Sequence, residues 1–571
     1  MDPERSEPPE RRGAGNPERS EPPERRGAGD PERSEPPERR GAGNPERMTV
    51  AGLVLRWAAL QPDVPFVITD VGVLTYGQLE QRSRTVLGQL LDRGVGKGTR
   101  VGLMMPNCID WAVIAVATAR AGAVLVPLST LLRPPELEAQ LRVAGVEQLL
   151  LVRTFRGRDY VGDLAEISPG LSPGCGQLFD ERLPRLRRVD LCEDLPARLD
   201  PADGPEPSRL DAADASVRPA DDLVIIFTSG SRGAPKGVVH THGGALGATE
   251  AGLAARCLGH GDRLYIPMPF FWVGGYGTGL LSVLVCGATL ISEAQPEPER
   301  TLQLLERERV TLFRGWPGQA SSLAAHPRFA DADLSSLRAG SLEAVLPPTR
   351  RGAPGTRAAL LGMTESFGPY CGYPLDRGMP PGKEGSCGTP FADVEVRVVD
   401  IDSGETVARG FDGEIQIRGR NMMRSVCGRR RSEVFTVDGF YPTGDLGHLD
   451  DDGFLFFRGR RDDMFKVSGA TVYPSEVESA LSSIAVVERA HVVDVDDGGT
   501  TRVGAAVVLA EGEDRSPEDL AKDLHRTLSS FKIPTRWRIV GYDDLPMTAT
   551  GKVDKEALRR LLSGATSGDT G

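Results

Sequence analysis

The sequence predicts an α/β protein in which a large N-terminal domain of helix-covered sheets precedes a small C-terminal α+β domain. Three observations carry this. The 571 residues exceed one typical core, so two or more domains are expected. From Met48 onward helical spacing alternates with short apolar β-rich runs, the pattern of parallel sheets covered by helices. Beyond Gly459 the pattern changes to a hairpin and short capped helices, a second and smaller domain.

Residues 2–43 are three copies of the unit DPERSEPPERRGAG, with Asp or Asn first, and a fourth begins at Asn44. Proline, glycine and mixed charge without apolar periodicity bury too little surface to offset ordering entropy, so residues 1–47 read as disordered. Two other readings stand beside this one. The repeat is either a charged docking arm or translated upstream sequence, with Met48 as the true start, because MTVAGLVLRWAAL has helical spacing from its first residue.

Next come TYGQLEQRSRTVLGQLLDRG as helix and RVGLMMP as strand, WAVIAVATARAG as helix and VLVPL as strand, ELEAQLRVAG as helix and QLLLV as strand. The longest apolar stretch, Trp111 to Leu132, is broken by Arg120, Gly122 and Pro127, so no integral membrane segment is expected. Residues 153–222 are rich in proline and charge and read as irregular surface. LVIIFT then restores a buried strand. In the small domain, YPSEVESALSSI is a helix with Pro474 in its first turn. HVVDVDDGGTTRVGAAVVLA is a hairpin about Gly498 and Gly499. Ser516 caps the helix of SPEDLAKDLHRTLSSF.

Composition excludes several classes. Lys plus Arg number 68 against 80 Asp plus Glu, a net charge of −12, which argues against nucleic acid as a partner. Eight scattered cysteines without a C-x-x-C pair suggest neither a zinc ribbon nor a disulfide framework, and reduced thiols in a cytoplasm fit best. His240 and His242 would share a strand face but lack further ligands for zinc. Asp450, Asp451 and Asp452 lack the ligand spacing of a calcium loop and read as a hairpin turn.

FTSGSRGAPKGVVHTH, residues 227–242, is the stretch richest in chemistry. Small residues let backbone N–H groups approach an anion, hydroxyls add donors, and Lys236 adds charge, so a polyphosphate is the expected guest. A P-loop should run into a helix, whereas VVHTH looks like strand, which disfavours that class.

The stretch resembles the phosphate loop of the adenylate-forming (AMP-binding) superfamily, and the likeness continues in order over nearly all of residues 48–560. LGMTESFG (361–368), GSCGTPFADVEVRVVD (385–400), YPTGDLG (441–447), FRGRRDDMFKVSG (457–469) and PMTATGKVDK (546–555) each resemble a motif of that family. The resemblance implies an acyl-CoA synthetase, with a large domain at 48–461 and a mobile domain at 462–571, using ATP, Mg2+ and coenzyme A. It also implies the roles. Thr228, Ser229, Gly230, Ser231, Gly233 and Lys236 would cradle the β- and γ-phosphates. Thr364 would touch phosphate oxygen and Glu365 would hold Mg2+. Asp445 would accept both ribose hydroxyls, and Arg460 would assist at ribose or phosphate. Asp462 would be the hinge, Gly469 would reach the thiol tunnel after rotation, and Lys552 would bridge the acid carboxylate and α-phosphate.

Two positions depart from the family pattern. Leu361 replaces the tyrosine that many relatives lay against adenine. Trp272, beside Gly274 and Gly275 in the expected acyl pocket, replaces a histidine, so it cannot act as a base; it shapes the acyl tunnel or packs in the core. Residues 339–360 are less like the family and read as a surface loop near the adenine and acyl sites.

The stretch PFFWVGGYGTGLL has no carboxylate to anchor a substrate ammonium, which favours a fatty or other apolar carboxylic acid. Three alternatives remain. A fatty-acyl-AMP ligase serving an acyl-carrier protein would be CoA-independent, a luciferase-like oxidase would emit light, and an inactive ligand-binding scaffold would not turn over ATP.

Overall fold

In the computed structural model, the described residues are 48–195, 206–228, 235–353, 356–467, 470–497, 500–528, 530–548 and 552–564. The 14-residue repeats, the hairpin tip at 498–499, Ser229, Gly230, Ser231, Gly233 and Gly469 lie outside them. The described residues from Met48 onward make one compact unit.

A seven-stranded sheet of the large domain runs in the order Ser425–Val426, Lys236–Thr241, Asp222–Thr228, Val124–Pro127, Arg100–Met104, Gln148–Leu151 and Arg188–Leu191. From Asp222–Thr228 to the Arg188–Leu191 edge the strands are parallel, and the first two pair antiparallel. A five-stranded sheet adds Leu312–Phe313, Arg263–Tyr265, Thr289–Ile291, Pro65–Thr69 and Gly72–Thr75 in that order. One apolar cluster takes in residues of both sheets, such as Leu103 and Leu125 of the first and Val67 and Leu290 of the second.

The helix Ile109–Arg120 is buried from Trp111 to Arg120. A helix apolar on every side must lie inside a core, and its large side chains each contribute about 1.5–3 kcal/mol. Its one charged buried residue, Arg120, is compensated by Asp214 at 2.7 Å and Glu80 at 3.3 Å.

The reading of residues 153–222 as irregular surface fails. The segment contributes the helices Tyr160–Ile167 and Pro207–Ser216 and the edge strand Arg188–Leu191, with Leu183, Leu186 and Val189 buried. A four-residue strand preceded and opened by arginines carries too little alternation to stand out; pairing with Gln148–Leu151 defines it. His242 likewise does not share a strand with His240 but opens the helix His242–Ala251, capped by Thr241.

Toward the C-terminus, antiparallel strands at Val394–Val399, Gly413–Gly419, Tyr441–Leu449 and Leu455–Arg460 form a four-stranded sheet. The Asp450–Asp452 turn joins its last two strands, with Lys383 clasping Asp450 (2.6 Å) and Asp452. Val487–Asp497 and Thr500–Leu509 form the expected hairpin, extended in parallel by Arg536–Ile539. Helices Pro474–Ser482 and Pro517–Leu524 cover one apolar cluster, and Lys555–Ser563 covers another. Ser516 caps as expected, accepting from Asp519 N at 3.2 Å.

Candidate active site

Two strands present the ends of the glycine-rich loop. Thr228 and Lys236 are register partners across the antiparallel pair, which sets the two ends of the glycine-rich segment side by side. Lys236 Nζ donates to Glu365 Oε1 and to the Tyr441 hydroxyl (3.0 Å), and sits 5.2 Å from the Tyr441 ring centroid. Tyr441 in turn donates to Glu365 Oε1 at 3.1 Å. Burial, then the nearby Glu365 carboxylate, drives the Tyr441 phenol far above its ordinary value, so it stays protonated and can donate.

Thr364 and Glu365 belong to the tight turn Thr364–Ser366, closed by Phe367 at φ 55°. A left-handed side-chain-bearing residue costs about 1–3 kcal/mol and persists where packing holds it. Here Phe367 is buried and meets His240 edge-on, with ring centroids 4.8 Å apart. His240 Nε2 donates to the Thr364 carbonyl at 2.8 Å. Since a carbonyl only accepts, that bond fixes the Nε2–H tautomer, and buried Nδ1 is left without a partner.

Burial lowers both buried histidines, His240 and His242, to about 4. The unfolded chain takes up protons below about pH 6.5 that the fold refuses, so this stability is present above that value and lost as pH falls toward about 4. By about pH 5 each histidine costs roughly 2 kcal/mol. His242→Gln should therefore shrink the fall in unfolding free energy between about pH 7.5 and 5 by roughly that amount, read from urea midpoints. An unchanged fall contradicts the assignment.

Asp445 lies 4 % exposed on its strand opposite Arg460. Arg460 Nη1 donates to Asp445 Oδ1 at 2.7 Å and to Thr443 O at 3.0 Å. Burial raises the Asp445 carboxyl and the Arg460 charge opposes this. Asp462 sits just beyond, in the turn Arg461–Asp463.

Two cavities share Trp316, and Thr364 lines the first of them. The first, about 770 Å³, is lined by Ile266, Met268, Val273, Gly274 and Thr364 among others. Residues 339–360 do not form a mere surface loop, because Gly340–Glu343 and Arg357–Leu360 make one wall of it and Val345 and Leu346 are buried. The second, about 1140 Å³, is bordered by Trp272 and Pro269 on one side and by Arg489, His491 and Lys552 on the other. Trp272 is thus not a core tryptophan: it is partly exposed, with its ring 5.7 Å from that of Trp316. Gly275 lines neither cavity. It is buried where a Cβ would meet Pro269 O at 2.1 Å, so the site requires glycine for backbone approach.

The structure therefore groups Lys236, Glu365 and Thr364, and separately Asp445 with Arg460, while Lys552 borders the second cavity with no described contact to Thr364 or Glu365. Sequence reasoning missed Tyr441 and His240 as groups that position Glu365 and Thr364. Tyr441 stands first in YPTGDLG, but a tyrosine in a strand gives no sign that its hydroxyl spans two other motifs.

Residues 54–426 match the family described as AMP-binding enzyme, and residues 476–552 match the AMP-binding enzyme C-terminal domain. The chain belongs to the adenylate-forming superfamily. The matches lie on either side of Asp462. The chain is 32% identical to a feruloyl-CoA synthase of Amycolatopsis over 89% of its own length and 97% of that protein. It is 29% identical to an indoleacetate–CoA ligase of Aromatoleum aromaticum, over 91% and 99%. The anthranilate CoA ligase AuaEII, solved with anthranoyl-AMP, superposes with a TM-score of 0.74 at 24% identity, covering 91% and 98%. This superfamily member is an acid–CoA ligase, whose co-substrates are ATP and coenzyme A. Among the described residues no helix is long and apolar enough to cross a membrane.

Proposed function

We propose that the enzyme joins an acid with an apolar body to CoA through an acyl-adenylate. One acid oxygen attacks the α-phosphorus of ATP, the bond to the β-phosphate oxygen breaks, and pyrophosphate leaves. The CoA sulfur then attacks the acyl carbon, its proton passes to solvent, and AMP departs. The observation that carries this reading is the Lys236–Glu365–Tyr441 cluster at the mouth of the glycine-rich strand pair. Phosphates entering there meet a lysine whose present counter-charge, Glu365, would be freed to face a metal.

Magnesium fits this arrangement only as a companion of ATP. Among the described residues no cluster of three metal-binding side chains exists, and a single carboxylate with phosphates and water is an ordinary Mg2+ set. Glu365 would be its protein ligand, and the ion would neutralise phosphate charge. Asp445 offers a carboxylate oxygen for ribose while Arg460 balances its charge. Thr228, Thr364 and the loop residues Ser229, Gly230, Ser231 and Gly233 would bind phosphate oxygens. Lys552 would serve adenylation, and rotation about Asp462 would replace it with Gly469 for thioester formation.

The wall of Leu264, Ile266, Met268 and Val273 supports an apolar acid, fatty or ring-bearing, in the first cavity. The reported relatives are named for CoA, which supports CoA over a carrier protein as acceptor. A mass-spectrometric scan of fatty, aromatic and alicyclic acids with Mg-ATP, with and without CoA, tests the reading. Acyl-CoA with AMP is expected. Acyl-AMP unaffected by CoA would favour the carrier-dependent alternative, and absence of AMP from every acid would favour a binding scaffold.

A further inference from the structure

The wall of the first cavity is not wholly apolar, because Arg256 and Arg314 also form part of it. Arg256, 7 % exposed, is fixed by three bonds: Nε to Gly252 O (3.1 Å), Nη1 to Ser282 Oγ (2.8 Å) and Nη2 to Thr249 O (2.6 Å). Arg314 Nη2 donates to the Arg256 carbonyl, while its buried Nε has no partner. Asp376 and Asp262 favour the Arg314 charge without pairing with it. Asp262 pairs with Arg338 at 2.6 Å, and Glu343, on the same wall, pairs with Arg357 at 3.0 Å. Among the described residues no carboxylate is within ion-pair distance of Arg256 or Arg314.

Burial lowers both guanidinium groups to about 10; the Arg314 charge adds to this at Arg256, while at Arg314 the Arg338 charge is opposed by Asp376 and Asp262. Both remain charged at neutral pH. Arg256, buried, and Arg314, partly exposed, line the cavity without a paired carboxylate, an arrangement that an anionic ligand relieves. A neutral ketone or ester would leave that charge unmatched.

We propose that the acid accepted here carries a second carboxylate, remote from the one that is activated, and that Arg314, steadied by Arg256, receives it. This rests on the ligase reading above. The planar guanidinium fork matches a carboxylate in shape and charge, which a lysine would not. The reacting end belongs to Thr364, in the turn after Leu361–Met363, whereas Arg314 follows the strand Leu312–Phe313 of the five-stranded sheet.

The test uses straight-chain dicarboxylic acids from glutaric to sebacic, and p-carboxycinnamic acid, each beside its methyl half-ester and the matching mono-acid. AMP release, acyl-CoA formation and the shift in melting temperature are read for each. The best diacid is expected to exceed its half-ester at least about tenfold in kcat/KM. Arg314→Met should erase that preference by lowering the diacid far more than the half-ester, and Arg314→Lys, which keeps the charge without the fork, should retain part of it. Half-esters equal to diacids, equal loss of both substrates in Arg314→Met, or no response to any diacid would overturn the proposal. A diacid-specific melting shift abolished by Arg314→Met, without AMP from any acid, would uphold the anion site and overturn the ligase reading instead.

Discussion

Lys552→Ala is expected to slow acyl-adenylate formation by about 10²–10³, the cost of deleting one preorganised charge at a reacting phosphate. Conversion of a supplied acyl-adenylate to acyl-CoA should change by no more than a few-fold. The loop around Lys552 is built to present it. Thr548 N donates to Lys552 O at 2.7 Å, Lys552 N donates to Thr548 Oγ1 at 3.2 Å, and Met547 and Val553 form an antiparallel bridge. Asp554 then caps the helix Lys555–Ser563, which anchors the loop through the buried Leu558 and Leu562. The Lys552 side chain itself is exposed. Its removal strands no buried partner, so stability should move by less than about 0.5 kcal/mol and the kinetic loss will not reflect unfolding. Pyrophosphate release measures the first half-reaction, and acyl-CoA formed from synthetic acyl-adenylate measures the second. Equal loss in both contradicts the assignment.

Glu365→Gln should reduce adenylation by about a hundredfold and raise the Mg2+ concentration needed for half-maximal rate. The substitution keeps the volume and a hydrogen-bond acceptor for Tyr441, but removes the carboxylate that meets Lys236. Glu365 is only 8 % exposed, so Lys236 also loses its buried counter-charge, and a melting temperature a few degrees lower in the absence of ATP is the accompanying cost. ATP should restore much of that difference, because phosphates supply the missing charge. Adenylation within threefold of the parent, at unchanged Mg2+ demand, would remove Glu365 from the metal's coordination.

The legible parts of the fold were those whose local pattern and tertiary role agree. The capped helices, the long hairpin and the strand-loop-strand of residues 222–241 read directly from periodicity and turn residues, and the motifs marked which segments meet. What was lost lay where short elements borrow their identity from partners. Arg188–Leu191 is a strand because a parallel neighbour pairs with it, and residues 340–343 form part of a cavity wall while Val345 and Leu346 just beyond are anchored in a core. The site shows the same division. Glu365 and Asp445 stood out within motifs, but the hydroxyl of Tyr441 and the imidazole of His240 act across more than a hundred residues of chain or between separate strands and turns. Arg256 and Arg314 carried no signal at all, since an arginine beside an apolar run is ordinarily a solvated one.

The central claim, that an acid is activated by attack on the α-phosphorus, is tested most directly by isotope transfer. An accepted acid labelled with heavy oxygen in both carboxylate positions is turned over with Mg-ATP and CoA, and the products are weighed. One labelled oxygen in AMP, the other in the thioester carbonyl and none in pyrophosphate is the predicted result. Unlabelled AMP, or ADP and labelled phosphate in its place, would contradict it.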